Sequence, residues 1–210
     1  MQVLSLCSGI GGLELALQKV FNMELVGVAE TDTAASKVLE ERFGVKNYGD
    51  ITNSRNFPRL HGDSIVVAGF PCQPVSQANS NPNGRLGIKD KRWLIKDVVR
   101  IAERCHAQAI LLENVRGIYT ANKGRAFELV IETLAAHGYG RIEWRNLKAS
   151  EVSAPHRRDR WFCIATTPYA TLGKWRLKEP ETVVTSTGQT TEPGECVSSF
   201  GKWGPAIQRW

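Results

Sequence analysis

A cysteine that directly follows a proline is the residue of this chain best suited to nucleophilic chemistry. Cys72 comes just after the apolar segment Ser64–Ala68, within the run Gly69-Phe70-Pro71-Cys72-Gln73-Pro74. Open α/β sheets bind their ligands at the carboxyl ends of strands, so this thiol is placed where a substrate would lie. Pro71 holds its own φ at about −65° and restricts the backbone that carries the cysteine. The alternative is a turn with a small buried cysteine, because free cysteines are among the most buried residues.

A glutamate and two arginines could act on the same substrate. Glu113 ends the apolar run 110–112, and burial there is expected to raise the pKa of its carboxyl. A protonated carboxyl can donate to a ring nitrogen as a general acid. Arg158 and Arg160 alternate just before a predicted strand, so both side chains face one side, where a guanidinium can bind a carbonyl oxygen or a phosphate. The alternatives are a Glu113 paired with a cation such as Arg116, and a solvated run of charges.

A glycine-rich turn and two acidic residues indicate a site for a nucleoside cofactor. Residues 7–12 follow the first predicted strand and open the first helix, and their glycines let the backbone approach a ligand closely. Glu30 ends the second predicted strand, where its carboxylate can accept hydrogen bonds from ribose hydroxyls. Asp50 ends the next predicted strand and can accept from an adenine amino group. The glycine spacing is not that of the dinucleotide-binding motif, and solvated surface carboxylates are the alternative for both acids.

Alternating strands and helices must position these residues. The periodicity of the apolar residues predicts strands over residues 3–6, 25–29, 48–51, 65–68 and 109–113, and a final antiparallel pair over 141–146 and 161–165. It predicts helices over residues 12–20, 33–43, 92–105 and 125–136, the second capped by Asp32 or Thr33 and ended by Gly44. This alternation predicts an α/β fold with a doubly wound, mainly parallel sheet. Residues 75–90 are polar and aperiodic, as in a long functional loop.

The composition argues against several classes of protein. Of the 210 residues, 42% are hydrophobic, enough for a sizeable core, and no apolar run is long enough to span a membrane. The N-terminus lacks the charged region of a signal peptide and is interpreted as a strand. The five cysteines are odd in number and form no C-x-x-C pair, which argues against disulfides and a zinc site and for a reducing, cytoplasmic location. The net charge of +6 is compatible with a polyanionic partner.

A change of composition near residue 166 divides the chain. Thr, Ser, Gly, Pro and Glu dominate from there to residue 193. The whole segment after residue 166 is too short to form a core of its own. We therefore expect a main domain over residues 1–166 and an incomplete, loosely structured C-terminal extension over residues 167–210.

Taken in order along the chain, these motifs resemble those of the cytosine-C5 DNA methyltransferase family. The resemblance covers residues 2 to about 166 and rests on five ordered matches, which together are highly specific. The matching runs are Leu6-Cys7-Ser8-Gly9-Ile10-Gly11-Gly12, Ala29-Glu30-Thr31-Asp32, Gly69-Phe70-Pro71-Cys72-Gln73-Pro74-Val75-Ser76, Glu113-Asn114-Val115 and Pro155-His156-Arg157-Arg158-Asp159-Arg160.

The resemblance implies a Rossmann-like methyltransferase fold, S-adenosylmethionine as cofactor and cytosine in duplex DNA as substrate. The target base must leave the duplex, because its C6 cannot be reached inside the stack. Cys72 would then add to C6 as a thiolate, while Glu113 donates a proton to N3 and makes C5 a carbon nucleophile. C5 would take the methyl group, and loss of the C5 proton and of Cys72 would restore the aromatic ring. Arg160, with Arg158 beside it, would hold the base oxygen.

The same resemblance implies which residues bind the two ligands. The cofactor-binding set is Cys7, Gly9, Ile10, Gly11, Glu30, Thr31, Asp50, Ile51 and Pro71. The loop 75–90 would close over DNA, with phosphate contacts from Ser76, Arg85 and Arg92. No metal is implied, and the biological setting would be DNA methylation in restriction-modification.

Three departures from the family pattern stand out. Ser5 replaces the acidic residue common at the start of the cofactor motif, and His156 replaces the usual glutamine of the late motif with a protonatable side chain. The chain ends at Trp210, before the target-recognition region and the later motifs of the family, and its closing run resembles a passage inside longer phage-borne members. We therefore expect a shortened, phage-like methyltransferase, with residues 1–166 as its cofactor-binding and catalytic domain and residues 167–210 as a partial target-recognition segment.

Two other functions stay open. The first is an inactive fragment or one half of a split enzyme, which would need a second chain to supply the missing motifs. The second is an RNA cytosine-C5 methyltransferase, because a tRNA-methylating branch of the family shares the same catalytic residues. The Cys-Phe-Thr tripeptide characteristic of that branch is absent from this sequence.

Overall fold

The fold is described by a computed structural model over residues 1–53, 56–72, 87–152 and 158–170. Within these ranges the strands are Gln2–Leu6 (β1), Glu24–Ala29 (β2), Ser64–Ala68 (β3), Ala109–Val115 (β4), Arg141–Lys148 (β5) and Asp159–Thr166 (β6). The α-helices are Gly12–Val20 (α1), Thr33–Phe43 (α2), Ile95–Arg104 (α3) and Arg125–Ala136 (α4). Short 3-10 turns are formed by Gly87–Lys89, Arg116–Tyr119, Ala121–Gly124 and Ala149–Val152.

The strands form one sheet in the order β2-β1-β3-β4-β6-β5. β1 pairs in parallel with β2 and β3, and β3 pairs in parallel with β4. β6 runs antiparallel between β4 and β5. The predicted mainly parallel sheet with a final antiparallel pair is therefore confirmed. Because β1 to β4 are parallel, their carboxyl ends lie along one edge of the sheet.

Helices cover both faces of the sheet, because the buried strands alternate their side chains between two cores. On one face, Leu4 of β1 and Val66 of β3 share a core with residues of α3 and α4. On the other face, Val3 and Ile65 share a core with residues of α1 and α2. Each fully buried aliphatic side chain stabilises the fold by ~1.5–3 kcal/mol. The doubly wound sheet is thus a rigid support for the loops at its edge.

The second helix begins and ends where its sequence predicts. The Asp32 side chain accepts a hydrogen bond of 2.8 Å from the Ala35 amide and caps α2. Gly44 ends the helix with a φ of +60°, a left-handed conformation that favours glycine. These local signals leave Glu30 at the end of β2, just before the cap.

The strand predicted over residues 48–51 is wrong, since this stretch of the described chain forms a turn. A single parallel bridge joins Asn47 to Val28 of β2, and the chain then turns at Gly49, where φ is +70°. The Asn47 side chain accepts a hydrogen bond of 2.9 Å from the Gly49 amide and stabilises this turn. Asp50 and Ile51 are therefore carried on a turn at the edge of the sheet.

Helix α3 begins later than predicted, at Ile95 instead of residue 92. The Arg92 and Trp93 amides both donate to Asp90, so this segment is a turn. Most of the predicted loop 75–90 and most of the C-terminal extension lie outside the described residues, so the domain boundary stays a prediction. No helix within the described ranges is long and apolar enough to cross a membrane.

Candidate active site

A large cleft opens at the sheet edge where β1, β2, β3 and β4 end. Its volume of about 1400 Å³ exceeds the ~300–1,000 Å³ of an ordinary small-molecule pocket. Predicted residues from all five motifs line it, namely Cys7, Gly9, Ile10, Glu30, Thr31, Pro71, Cys72, Glu113, Arg158 and Arg160. Three predicted residues from outside the motifs also line it: Asp50, Ile51 and Arg92. The topology therefore brings together side chains that are far apart in the sequence.

The loop between β1 and α1 forms part of one wall of the cleft. Cys7 and Gly9 have left-handed backbones, with φ of +52° and +54°. A Cβ added at Gly9 would meet no atom within 4 Å, so this backbone faces open space. Gly11 is not among the described residues that line the cleft, and a Cβ added there would overlap the Phe43 ring of α2. The structure thus places Gly11 where α1 packs on α2.

The Glu30 carboxylate organises this wall by accepting three backbone hydrogen bonds. Its Oε2 accepts from the Gly9 amide at 2.7 Å, and its Oε1 accepts from the Thr31 and Asp32 amides at 2.8 and 2.9 Å. An ionised carboxylate has about four acceptor positions, so one stays available to a hydroxyl of a ligand. The same bonds tie the loop after β1 to the end of β2.

Asp50 and Ile10 offer a polar and an apolar contact farther along the wall. Thr52 donates twice to Asp50 Oδ1, from its amide and its hydroxyl, both at 2.8 Å. The Asp50 side chain is exposed, so its carboxylate can also accept from an amino group of a ligand. Ile51 is only 3% exposed, whereas Ile10 is 57% exposed. A flat aromatic ring laid on Ile10 would remove that side chain from water.

Two thiols line the cleft, and their surroundings separate their roles. Burial, followed by the charges of Glu30 and Asp50, raises the pKa of Cys7 to about 12. Cys7 therefore stays protonated at neutral pH, where only a thiolate would be a nucleophile. Cys72 is half-buried on the segment after β3. In the part of the chain that the structure describes, no group of three or more His, Cys, Asp or Glu side chains could hold a metal ion.

Glu113 and Arg160 form an ion pair at the end of β4. Arg160 Nε lies 2.8 Å from Glu113 Oε1, and the two side chains are 24% and 12% exposed. The antiparallel register of β4 and β6 brings them together. Burial raises the pKa of the Glu113 carboxyl, and the positive charges of Arg160 and Arg158 oppose that rise. The predicted direction of the pKa is confirmed, and the paired cation is Arg160 instead of Arg116.

Two residues to which no role was assigned from the sequence hold the segment that carries Cys72. A Cβ at Gly69 would lie 3.4 Å from Glu113 Oε2, so glycine lets the end of β3 approach that carboxylate. Asn114 is 1% exposed, and its Nδ2 donates to the Phe70 carbonyl at 3.2 Å. Asn114 thus positions the backbone just before Pro71. A buried polar residue at a strand end was the available signal, but its partner lies 44 positions away.

Arg92 is the predicted phosphate contact that the structure describes. Its Nε and Nη2 donate to Asp90 Oδ1 and Oδ2, at 2.9 and 2.6 Å. These bonds lower the pKa of Asp90 to about 2, so the aspartate is ionised at neutral pH. The Arg92 side chain is 49% exposed, and its other N–H groups can reach a phosphate. The other two predicted phosphate contacts, Ser76 and Arg85, lie outside the described residues, as does His156 of the late motif.

Comparison with known proteins identifies sequences that this chain resembles. A model of the family described as C-5 cytosine-specific DNA methylase matches residues 1–192. The Type II methyltransferase M.NgoBI of Neisseria gonorrhoeae is 35% identical over 164 residues, which cover 78% of this chain and 50% of that protein. The Type II methyltransferase M2.BsuMI of Bacillus subtilis (strain 168) is 36% identical over 172 residues, which cover 79% and 42%. The chain spans half or less of the length of these relatives.

Solved structures share the fold. The S. pombe Dnmt2 methyltransferase superposes with a TM-score of 0.61 and 21% identity, covering 80% of this chain and 51% of that one. A putative DNA modification methyltransferase encoded within an E. coli prophage gives a TM-score of 0.61 and 22% identity, covering 80% and 47%. At these identities the likeness concerns the fold alone, and it confirms the predicted Rossmann-like methyltransferase fold.

Proposed function

This chain belongs to the C-5 cytosine-specific DNA methylase family, and we propose that it transfers a methyl group from S-adenosylmethionine to C5 of cytosine in DNA. The observation that carries the proposal is one cleft lined by Cys72, the Glu113–Arg160 pair and the Glu30 carboxylate. A nucleophile, a general acid and an acceptor for a nucleoside are the groups that this reaction requires. The relatives named above are Type II methyltransferases, which favours a role in restriction-modification.

The cofactor wall has the donors and acceptors that S-adenosylmethionine would need. Glu30 has an acceptor position free for a ribose hydroxyl, and exposed Asp50 can accept from the adenine amino group. Ile10 offers an exposed apolar surface to the adenine ring. When bound, the cofactor supplies an electrophilic methyl group. The chain itself contributes a wall that binds the nucleoside end of the cofactor beside the catalytic groups.

Cys72 starts the proposed chemistry at the base. Its thiolate forms a bond to C6 of cytosine, and the electron pair of the C5–C6 double bond shifts towards C5. Glu113 gives a proton to N3, so negative charge does not accumulate on the ring. After C5 has gained its methyl group, the C5 proton passes to solvent water, and the electron pair of the C5–H bond restores the double bond. Cys72 departs as a thiolate, and the proton on N3 returns to Glu113.

The surroundings of Glu113 suit it to this exchange of a proton. Burial raises the pKa of the Glu113 carboxyl and so favours the neutral acid, while the charge of Arg160 favours the carboxylate. Arg160 binds Oε1, which leaves Oε2, on the side of Gly69, for the ring nitrogen. The guanidinium groups of Arg158 and Arg160 then hold the base carbonyl oxygen.

Duplex DNA is the proposed partner, and its target cytosine must be flipped into the cleft. Cationic side chains that line the cleft can contact the backbone phosphates, namely Lys91, Arg92 and Lys148. The described cysteines are free thiols, which fits a reducing cytoplasm. No observation on the described residues favours RNA as the substrate or a second chain as a partner.

The test is transfer of a labelled methyl group from S-adenosylmethionine to mixed-sequence duplex DNA, with wild type, Cys72→Ala and Cys105→Ala side by side. Cys105 is a buried free thiol whose pKa burial raises to about 11, so its replacement is the matched control. We expect Cys72→Ala to lose all measurable transfer yet bind S-adenosylhomocysteine like the wild type, and Cys105→Ala to keep transferring.

Transfer by Cys72→Ala would overturn the assignment of the nucleophile. Transfer by the wild type to tRNA but not to DNA would overturn the substrate. A wild type that binds the cofactor and DNA but methylates neither nucleic acid would refute the activity for this chain.

A further inference from the structure

A buried polar cluster lies under the loop that follows β1, and the chemistry proposed above does not use it. Ser5 of β1 and Glu14 of α1 are each 1% exposed. The Ser5 hydroxyl donates to Glu14 Oε1, and its oxygen lies 2.8 Å from the Ser8 hydroxyl oxygen. Glu14 Oε2 is buried and has no hydrogen-bond partner within the described structure.

Glu14 is a buried carboxyl on a helix whose other buried side chains are apolar. Its neighbours on α1, namely Leu13, Leu17 and Val20, pack into the core between the helix and the sheet. Burial raises the pKa of Glu14, because the charged form is disfavoured there. An apolar side chain of similar size would pack against that core without leaving a polar atom unpaired. The acidic group therefore has a role outside the core, and it lies in the first turn of α1, directly after the loop.

The cluster leads to the cofactor wall. Ser8 directly precedes Gly9, whose amide donates to Glu30 Oε2 at 2.7 Å. Glu14 and Ser8 both line the cleft themselves. One chain of contacts thus runs from Glu14 through Ser5 and Ser8 to the backbone that holds Glu30.

We propose that Glu14 is a positioning residue for cofactor binding: through Ser5 and Ser8 it holds the loop 7–11 in the conformation that binds the nucleoside. The identity of the ligand in this inference rests on the proposed function. The expected effect of Glu14 on the order of the loop in the free protein does not. Ordering the loop, with its left-handed residues, costs conformational entropy. Contacts that order the loop before binding therefore raise its affinity for the cofactor. Loss of those contacts acts on affinity and not on the rate at saturating cofactor.

Three variants test this inference. Glu14→Leu removes the polar end of the side chain and keeps its bulk, Glu14→Gln keeps an acceptor for Ser5, and Glu41→Leu makes the same change at an exposed site of α2. Calorimetric titration with S-adenosylhomocysteine measures the affinity, and hydrogen exchange of the amides of residues 8–11 in the free protein measures loop order.

We expect Glu14→Leu to weaken binding by about 10-fold, because the hydrogen bond that holds the loop is lost. Its loop amides should exchange faster, while its thermal stability is not lowered. Glu14→Gln should stay within ~3-fold of the wild type, because its amide oxygen still accepts from Ser5. Glu41→Leu should change neither readout.

Unchanged affinity together with unchanged loop exchange in Glu14→Leu would overturn the inference. If Glu14→Leu does not fold, Ser8→Ala is the second test, because Ser8 is a half-buried loop residue and the last link between Glu14 and the loop. Ser8→Ala should weaken the binding of S-adenosylhomocysteine without lowering stability. Wild-type affinity in Ser8→Ala would also overturn the inference. If the wild type bound no S-adenosylhomocysteine, the proposed cofactor would be wrong. Loop exchange in the free protein would then still decide, since faster exchange supports the role of Glu14 and unchanged exchange refutes it.

Discussion

The two walls of the cleft are built by different means. On the cofactor wall, Glu30 is held by three backbone amides, all from the loops at the ends of β1 and β2. On the catalytic wall, side chains from separate strands meet: Arg160 binds Glu113, and Asn114 binds the Phe70 carbonyl. The first wall depends on short loops and the second on the register of the sheet. Changes to the first should therefore lower affinity, and changes to the second should lower rate and stability.

The largest expected effect comes from Glu113→Gln, which breaks the catalytic wall alone. The amide cannot donate and recover a proton at N3, so the rate of methyl transfer should fall by ~10²–10⁴-fold. Affinity for S-adenosylhomocysteine should stay at the wild-type value. Single-turnover transfer and calorimetric titration measure the two quantities, with Glu143→Gln on β5 as the matched control. A loss of affinity as large as the loss of rate would contradict the division between the walls.

The same residue gives the transfer rate a predictable response to pH. Burial raises the pKa of Glu113, and the protonated form is the donor. The donor form is therefore lost as the pH rises through that raised pKa, and the contribution of Glu113 to the rate should fall in that range. A pH profile of single-turnover transfer should show this falling limb in the wild type and not in Glu113→Gln. A falling limb that survives the substitution would assign it to another group.

Next in size is Glu30→Ala, which breaks the cofactor wall alone. Hydrogen bonds to a charged group contribute ~1.5–3 kcal/mol each, so losing the one to the cofactor should weaken binding by about 10–100-fold. The rate at saturating cofactor should change little, because Glu113 and Cys72 keep their positions. Titration and initial rates at several cofactor concentrations check this, with exposed Glu40→Ala as the control. A variant that binds normally but transfers slowly would reverse the roles assigned to the two walls.

A smaller effect is expected from Asn114→Ala, which loosens the catalytic wall without removing a reacting group. The substitution leaves the Phe70 carbonyl without its donor and should lower the free energy of unfolding by ~1–3 kcal/mol. Misplacement of the segment that carries Cys72 should also slow transfer, by about 10-fold. Urea unfolding and single-turnover rates measure both, with exposed Asn22→Ala as the control. Normal stability and normal rate in Asn114→Ala would remove this residue from the account.

Local signals predicted the helix beside the cofactor wall, because its cap and its end depend on residues near each other in the sequence. The bond from the Gly9 amide to Glu30 joins residues 21 positions apart and needed the structure. Asp32 caps α2 and Gly44 ends it, as expected from their types and positions. The prediction of a strand over residues 48–51 was wrong, because the Asn47 side chain and Gly49 favour a turn. A pattern of apolar residues contains no information on such turn contacts.

The catalytic wall was harder to predict, because it depends on how distant strands pair. The raised pKa of Glu113 followed from its place at the end of a buried strand. The ion-pair partner of Glu113 was not predicted. Arg160 lies beside Glu113 because of the β4–β6 register, whereas Arg116 was only near it in the sequence. The hydrogen bonds from Arg92 to Asp90 were also not predicted, since the sequence indicated Arg92 only as a phosphate contact.

The smallest expected effect is a difference in reactivity between the two thiols of the cleft, Cys7 and Cys72. Burial and the charges of Glu30 and Asp50 raise the pKa of Cys7 to about 12, so at pH 8 it is a protonated thiol and should resist iodoacetamide. Cys72 lies half-buried on the open cleft and should be alkylated first. Peptide mass mapping of the native protein at pH 8 measures both, with the denatured protein as the control. Equal modification of the two thiols at pH 8 would contradict the distinction.

The proposed chemistry depends on a covalent bond between Cys72 and the target cytosine. Duplex DNA containing 5-fluorocytosine tests it most directly, because fluorine at C5 cannot leave as the proton does and the adduct cannot resolve. With S-adenosylmethionine present, we expect a complex that survives denaturation, maps to Cys72 by mass and is absent from Cys72→Ala. A wild type that binds cofactor and DNA without forming this complex, or a complex that persists in Cys72→Ala, would contradict the account.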